Sequence, residues 1–330
     1  MKRILITGGA GFIGYHLAAH LLKQEGNDIT LVDNLQRGKM DKDFKELLKS
    51  PRVKFMRADL TDPKFYKKLE ENFDHIYHLA AVNGTRFFYE IPEEVLRINT
   101  LSLIYMLQWI IKQDKKPKLC FTSSSEAYAG ALEAFGKLPL PTPENVPLVI
   151  SDSYNPRWSY GGSKLIGELF VINYAKAYNF PAVIVRPYNF YGPRAGYEHV
   201  TPEFCLRVMN RVDPFTIYGP EETRTFCYIE DAVEAMQMLM DSKATDCQPI
   251  ETVHIGDDKE ITMKALAEEL FKVVGWKPSK FDMKPSPEGS VKRRLSDVSK
   301  IKKLIGWASK TSLSEGLGKT YAWYQKHSKQ

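Results

Sequence analysis

No run of about 18 consecutive apolar residues occurs anywhere in this 330-residue chain, so the sequence offers no helix able to span a membrane. The short run Ile4-Leu5-Ile6 behind Met1-Lys2-Arg3 meets glycines at once and is too short for the core of a secretory signal, so a cytoplasmic location is expected. Cysteine is scarce: Cys120, Cys205, Cys227 and Cys247 stand far apart, without metal-ligand or redox-pair spacing. That excludes a disulfide scaffold and suits a reducing compartment, and no metal is expected. Blocks of one charge are missing as well. The net charge is +6, but the lysines are scattered over helical segments (Lys42, Lys45, Lys49; Lys64, Lys67, Lys68), which reads as solvated helix faces and not as a nucleic-acid surface. Part of the excess would help attract an anionic diphosphate. Internal repeats and low-complexity tails are also absent.

What is present suits a sizeable core, since 43% of the residues are hydrophobic. Through about residue 186, β-branched runs alternate with helical patterns, the mark of a parallel sheet with crossover helices. Strands are expected at Arg3 to Thr7, Asp28 to Val32, Val53 to Met56, His75 to His78, Lys118 to Thr122 and Ala182 to Val185. Glu93 to Lys112 places Val95, Ile98, Leu101, Ile104 and Tyr105 near helical spacing. From Gly130 to Pro156, five prolines and no clear period predict a long surface loop. Beyond Pro187 the reading is helix at Asp231 to Met240, strand at Thr252 to Ile255, helix at Met263 to Val273 and a last helix from about Ser314 to His327. The fold class is therefore α/β: a Rossmann-type doubly wound parallel sheet over 1–186, to which part of 225–256 returns, with a smaller, discontinuous mixed α/β domain over 187–330 that would bind substrate.

The run Thr7-Gly8-Gly9-Ala10-Gly11-Phe12-Ile13-Gly14 follows the first strand and opens the first helix. Gly8 allows the tight turn, Gly11 lets the backbone approach a pyrophosphate and Gly14 permits close helix–strand packing, with the N–H groups of Phe12 and Ile13 at the helix start. The spacing is GxxGxxG, one residue longer than the common fingerprint. Asp33, at the end of the second strand, is placed to accept hydrogen bonds from an adenosine ribose and to repel a 2′-phosphate, which selects NAD over NADP. Arg37 reads as a surface or adenine-stacking residue. Asp59 and Leu60 are positioned to reach the adenine, although Asp59 is equally placed to serve the chain just before Asp62-Pro63.

Tyr160-Gly161-Gly162-Ser163-Lys164 puts a phenol and an ammonium four residues apart on one helix face. A free tyrosine has a pKa of about 10, and a neighbouring cation favours the phenolate, which makes Tyr160 a candidate general base. The fifth strand ends in Thr122-Ser123-Ser124-Ser125-Glu126 at the carboxyl edge of the sheet, where open α/β sheets bind ligands. A serine cluster at a strand end also caps backbone groups, and a lone YxxxK is common; the order of glycine loop, acidic strand end, serine strand end and YxxxK is what chance rarely yields.

With these motifs the chain resembles the extended short-chain dehydrogenase/reductase superfamily, in its nucleotide-sugar epimerase/dehydratase branch, over nearly its whole length. The similarity covers Thr7 to Gly14, Val32-Asp33-Asn34-Leu35, His78-Leu79-Ala80-Ala81, Asn99 and the serine strand with Tyr160 and Lys164. It continues through Arg186 to Pro193, Arg224 to Asp231, Arg293 to Asp297 and Leu304 to Trp307. The resemblance implies NAD as cofactor, with Asn34, Ala80 and Asn99 among its contacts. It implies Ser124 as catalytic hydroxyl, Tyr160 as base, and Lys164 as tuner of Tyr160 and ribose contact. Asn189, Arg224 and Arg293 would hold the substrate's diphosphate and nucleotide, since a guanidinium donates paired hydrogen bonds to phosphate. Arg86 and Ser125 would border the sugar, and a homodimer is expected.

The shared first step of that branch is oxidation at C4 of a nucleotide-diphosphate sugar. Return of hydrogen to the other face makes a 4-epimerase, the reading placed first. The dehydratases carry Asp-Glu after the catalytic hydroxyl, where this chain has Ser125-Glu126. That pair and Pro156-Arg157-Trp158 resemble UDP-glucuronate decarboxylases, the reading placed second, with Glu126 then a catalytic residue. Asn83 to Tyr89 matches no subgroup. A non-enzymatic NAD sensor or structural protein of this fold would typically have lost the Tyr/Lys pair, which is retained here.

Overall fold

The computed structural model describes residues 2–197, 199–246, 250–286 and 292–327; Cys247 lies outside them. Seven strands form one parallel sheet because each apolar run is followed by a helix long enough to carry the chain back across a face. β1 (Lys2–Thr7), β2 (Asn27–Asp33), β3 (Val53–Arg57), β4 (His75–His78), β5 (Lys118–Thr122) and β6 (Ala182–Pro187) are joined by the strand Glu251–Ile255, in the order Glu251–Ile255, β6, β5, β4, β1, β2, β3. The expected strand at Thr252 to Ile255 is thus the edge of the main sheet, paired with β6. β4 and β5 are buried along their whole length, as sheets covered on both faces require.

Helices cover the two faces. α1 (Phe12–Leu21), α2 (Lys42–Leu47), α3 (Thr85–Glu90), α4 (Pro92–Ile110), α5 (Gly130–Phe135) and α6 (Trp158–Tyr178) belong to the first half, and α4 packs along α6. In the second half, α7 (Val200–Met209), α9 (Met263–Val274) and α11 (Leu313–His327) pack on one another, whereas α8 (Ile229–Asp241) returns to pack against α1; the short α10 (Ser299–Ile305) leans on Glu251–Ile255. Three two-stranded ladders complete this half: Phe190–Tyr191 with Cys227–Tyr228, Phe215–Tyr218 with Phe281–Lys284, and Thr223–Thr225 with Glu260–Thr262. Cys120, Cys205 and Cys227 are free and buried.

The proline-rich segment departs from the surface loop expected for 130–156. Its first six residues are α5, which ends at Gly136 in the left-handed region. Its middle is tied into the protein: Thr142 is 2% exposed, receives Asp297 N–H on its carbonyl at 2.9 Å and donates to Leu295 O at 2.8 Å, while Arg186 donates to Glu144 O at 2.8 Å. Without a helical or strand period, these tertiary hydrogen bonds satisfy the backbone in place of a ladder.

Under the sheet's carboxyl edge lies a buried ion pair. Arg186 on β6 grips Glu168 on α6 with Nε to Oε1 at 2.8 Å and Nη2 to Oε2 at 2.7 Å, and Ser123 at the end of β5 donates to Oε1 at 2.5 Å. Both charged side chains are under 5% exposed. Removing one member leaves the other charge buried and uncompensated, so Glu168→Leu is expected to lower unfolding free energy by about 3–5 kcal/mol, read as a fall in the urea midpoint at unchanged m-value. A midpoint within experimental error of the parent would show that the pair contributes nothing.

Candidate active site

The strand order reverses between β1 and β4, and the crevice that opens there is walled by the turns following these strands. Gly8 has φ +71°, and a Cβ on it would lie 3.0 Å from Ala80 N, so the glycine turn and the strand-end segment Leu79 to Val82 approach as closely as backbones can. A Cβ on Gly14 would strike Gly8 O. Gly11 caps α1 without any side chain, which leaves the first N–H groups of the helix for a ligand anion. The resulting cleft, about 290 Å³, is lined by Gly8, Gly11, Phe12, Ile13 and Gly14, by Asp33, Asn34 and Arg37, by Asp59 and Leu60, and by Ala80.

Asp33 holds the far end of this cleft. Its carboxylate accepts from Leu35 N at 2.7 Å and from Ala10 N at 3.1 Å, and burial, the larger effect, keeps its pKa raised despite those bonds. Asp59 accepts from both N–H and Oγ–H of Thr61 at 2.8 Å, so it shapes its own turn as well as lining the cleft. The guanidinium of Arg37 stacks 5.4 Å from the Phe87 ring on α3 and extends along the mouth of the cleft. Asn99 does not line the cleft. It is buried, with Oδ1 accepting from Val82 N at 2.7 Å and Nδ2 donating to Val82 O and Ser163 Oγ, because a buried amide must satisfy both ends locally. It acts on the site by holding Val82.

α6 brings Tyr160 and Lys164 beneath the strand end that carries Ser124. Ser124 begins the turn Ser125–Tyr128 and accepts Glu126 N–H at 3.1 Å, so it caps backbone while lying near enough to Tyr160 to oppose the rise of its pKa. The Phe88 ring of α3 stacks on Tyr160, centroids 5.1 Å apart and planes 13° from parallel. Lys164 donates to Thr122 O at 2.7 Å, with Nζ 5.6 Å from the Tyr160 ring centre. The expected tuning of Tyr160 by Lys164 is not what dominates here. Burial raises Tyr160 above the ordinary tyrosine range, with Ser124 and Arg37 opposing, and burial pushes Lys164 down to about 7, against the pull of Glu168. Desolvation penalises the charged form of each group more than its neighbours favour it.

The Glu126 side chain meets guanidiniums from two directions: Arg294 Nη1 at 2.6 Å and Arg157 Nη2 at 3.7 Å. Burial would raise this carboxyl, yet Arg294 and Arg157, with Arg224 behind them, bring its pKa below the usual carboxylate value. Arg224 donates to Glu222 at 2.9 Å and to Thr223 O. Arg293 turns to Glu260, making paired bonds of 2.7 and 2.8 Å from a half-exposed position, and borders a small cavity with Ser125, Tyr128 and Arg294.

Arg293, expected to hold the substrate's diphosphate and nucleotide, pairs with Glu260, and its neighbour Arg294 meets Glu126, because the bridge from Thr223 to Arg293 sends successive side chains to opposite sides. Arg86, expected to border the sugar, is 60% exposed and pairs with Glu90 at 3.4 Å, as an i,i+4 neighbour on a helix surface does. Asn189, in the left-handed region at φ +38°, spends its amide on Thr225 O at 2.7 Å and anchors the turn between β6 and the second half. Glu168, Arg194 and Arg294 were missed by sequence reasoning. A signal existed for Glu168, which continues the helical spacing of Tyr160 and Lys164 by four residues.

The lowered Lys164 pKa has a stability consequence. Unfolded, the amine binds a proton up to about 10.4, whereas folded it releases one near 7. Between these values the unfolded chain holds more protons, so stability rises with pH. Urea denaturation of the cofactor-free protein is expected to show the parent gaining on Lys164→Met between pH 7 and 9; parallel pH profiles would rule this out.

A sequence model of the family described as GDP-mannose 4,6 dehydratase matches residues 5–320. Among curated relatives, UDP-N-acetyl-alpha-D-glucosaminuronate decarboxylase of Bacillus cytotoxicus is 33% identical over 98% of both chains. Among solved structures, UDP-glucose 4-epimerase of Thermotoga maritima, with UDP-glucose, is 29% identical with a TM-score of 0.84, covering 98% of this chain and 99% of that one. UDP-glucuronic acid 4-epimerase of Bacillus cereus, in complex with UDP-glucuronic acid and NAD, is 26% identical with a TM-score of 0.83 over the same shares. A glycine turn at the switch point, a serine strand end and a buried Tyr/Lys pair in one matching chain lead to one conclusion: this protein belongs to the extended short-chain dehydrogenase/reductase family of NAD-dependent nucleotide-sugar epimerases and dehydratases.

Proposed function

We propose that the enzyme oxidises C4 of a nucleotide-linked uronic acid and releases the sugar's carboxylate as carbon dioxide. The observation that carries this reading is the guanidinium cluster at Glu126. Arg157, Arg224 and Arg294 face the carboxylates of Glu126 and Glu222, three cations against two anions, so the cluster has room for one further negative charge. A sugar carboxylate supplies it, and guanidiniums bind carboxylates with paired, charge-assisted bonds. The Bacillus cytotoxicus relative is likewise named for decarboxylation of a nucleotide-linked uronate.

NAD, held by Gly8, Gly11, Phe12, Ile13, Gly14, Asp33 and Asn34, would supply a reversible two-electron acceptor for C4. Tyr160 takes the proton of the C4 hydroxyl, with Ser124 bonded to it and to the reacting oxygen. Its raised pKa makes it a poor base in the empty site, and the positive nicotinamide ring of the oxidised cofactor would favour its phenolate. The 4-keto uronate is a β-keto acid. Electrons of its C5–C6 bond move into the carbonyl as carbon dioxide leaves, and Ser124 and Tyr160 donate to the oxygen where negative charge collects. C5 then takes up a proton. Arg157 and Arg294 hold the carboxylate while it is still attached, and Lys164 fixes the position of Tyr160.

Epimerisation at C4, placed first from the sequence, becomes the second reading. One observation favours it: Glu126 is ionised and held by Arg294, so it offers no proton to C5, and an epimerase needs none. The two are separated by incubating protein and NAD with UDP-glucuronate, UDP-N-acetylglucosaminuronate and UDP-glucose in D₂O, followed by mass spectrometry and proton NMR. Loss of carbon dioxide with deuterium at C5 is expected. An inverted C4 with unchanged composition would transfer the assignment to the second reading. Arg294→Gln should lower kcat/KM for uronates by about 10- to 100-fold, and an equal loss on a neutral sugar would remove the carboxylate argument.

We also propose that two copies pair through the outer face of α6, where Ile166, Leu169 and Ile172 recur at helical spacing and stand more than a third exposed, as does Leu96 of the neighbouring α4. Leu169→Glu is expected to sediment as a monomer where the parent sediments as a dimer; a monomeric parent would end this proposal.

A further inference from the structure

The segment Asn83 to Tyr89, whose sequence matches no subgroup of the family, is where the chain covers its proposed base. α3 is a short helix set between two irregular points: Gly84 before it, at φ +130°, and Ile91 after it, at φ −142° and ψ 51°. Glycine adopts the first of these without strain, so the chain turns into α3 there. The helix carries two adjacent phenylalanines that face different neighbours. Phe87 receives the guanidiniums of Arg37 at 5.4 Å and Arg86 at 5.0 Å, and Arg37 lines the dinucleotide cleft. Phe88 turns inward: it is 8% exposed, as is Tyr160, and it shares a small apolar cluster with Val82, Val95 and Tyr160. Its ring lies on the phenol, 5.1 Å between centres and 13° from parallel, and so covers one face of Tyr160.

The ionisable groups around the phenol come from other elements. Glu126, after β5, acts to raise its pKa and Arg37, after β2, to lower it. On α6, Lys164 places Nζ 5.6 Å from the ring centre, with Glu168 a further turn along. His78, at the end of β4 near Lys164, is buried and pushed down to about 3, so it is neutral. On α3 itself, Arg86 and Glu90 pair with each other at the surface. α4 adds only the apolar Val95 and Ile98 to the cluster. Burial outweighs these charges at Tyr160, and the Phe88 ring is part of that burial. Stacking has a second effect. A tyrosine side chain turns about two bonds, and a flat ring packed against it restricts both, which matters because a catalytic group misplaced by about 1 Å loses on the order of 100-fold in rate.

We propose that Phe88 is a positioning residue for the base: its ring holds the plane of Tyr160 and keeps water from that face, so that the phenol oxygen stays near Ser124, where the C4 hydroxyl is to react. The proposal rests on the reading of Tyr160 as base and adds to it a residue from outside the serine, tyrosine and lysine set. It separates two consequences of losing the ring. A leucine fills part of the volume but offers no flat face, so the phenol tilts and the chemical step slows. Water reaching the phenolate stabilises it, so Tyr160 ionises at lower pH than in the parent.

The test compares full-length parent, Phe88→Leu and Phe88→Tyr proteins for kcat and KM across neutral and alkaline pH, with NAD and whichever of UDP-glucuronate, UDP-N-acetylglucosaminuronate and UDP-glucose turns over. Phe88→Leu is expected to lower kcat at the optimum by about 10-fold while KM stays within about threefold. The acid limb of its kcat profile should move to lower pH by about one unit. Phe88→Tyr keeps a stacked ring and should retain the parent's kcat and profile. An unmoved acid limb in Phe88→Leu would overturn the proposal. So would an equal loss in Phe88→Tyr, or a rise in KM with kcat unaltered, since the first makes Phe88 a packing residue and the second a substrate contact. A parent that turns over none of the three sugars would instead remove the functional reading. Phe88 is then decided by carbon-13 NMR of ring-labelled tyrosine, the Tyr160 signal being the one absent from Tyr160→Phe: titration at lower pH in Phe88→Leu than in the parent sustains its shielding role, and coincident titrations overturn it.

Discussion

The pairing of Glu168 with Arg186 in a nearly water-free interior is the constraint on which the active site hangs. It joins three elements that arrive from distant parts of the chain: α6, which carries Tyr160 and Lys164; β5, which ends in Ser123 and Ser124; and β6, which leads into the second half. Such a pair tolerates little displacement, because a lengthened bond exposes each charge to the full cost of its lost hydration. Arg186 also holds the carbonyl of Glu144, so the proline-rich segment is docked by the same guanidinium. The spacing between Ser124 and Tyr160 is thus set from below.

Above this foundation, burial and charge oppose each other in different proportions at neighbouring groups. For Tyr160 and Lys164 burial prevails, so the phenol is harder to ionise and the amine easier to neutralise than in water. For Glu126, whose side chain is partly exposed, two close guanidiniums and a third behind them reverse the balance and keep the carboxylate charged. The site therefore gathers positive charge around Glu126 and groups that burial keeps from ionising around Tyr160. That asymmetry suits a reaction in which one part of the substrate is held by its charge while another exchanges a proton.

The elements that sequence reasoning located best are those specified over a few residues. The glycine turn was readable because its steric demand is local: only glycine accepts the backbone at Gly8 and the close approach at Gly14. The six strands of the first half were visible as β-branched runs, each within one or two residues of its observed bounds. Asp33, Ser124, Tyr160 and Lys164 stood out by order along the chain. By contrast, the choice between Arg293 and Arg294 depends on the side to which a short bridge turns each residue, and two adjacent arginines carry no mark of that. Asn99 looked like a cofactor contact until the position of Val82 revealed where its amide bonds go.

By itself, then, the sequence determined the parallel α/β plan, the glycine turn and the placement of Tyr160 and Lys164 on one helix, because hydrophobic period, glycine conformation and helical spacing act over distances of one to a few residues. Tertiary structure alone decided which charges meet: Glu168 with Arg186, Glu126 with Arg294, and Arg194 with Asp41. Electrostatic energy depends on separation and on the exclusion of water, and both are set only when segments more than a hundred residues apart, such as Glu126 and Arg294, pack together.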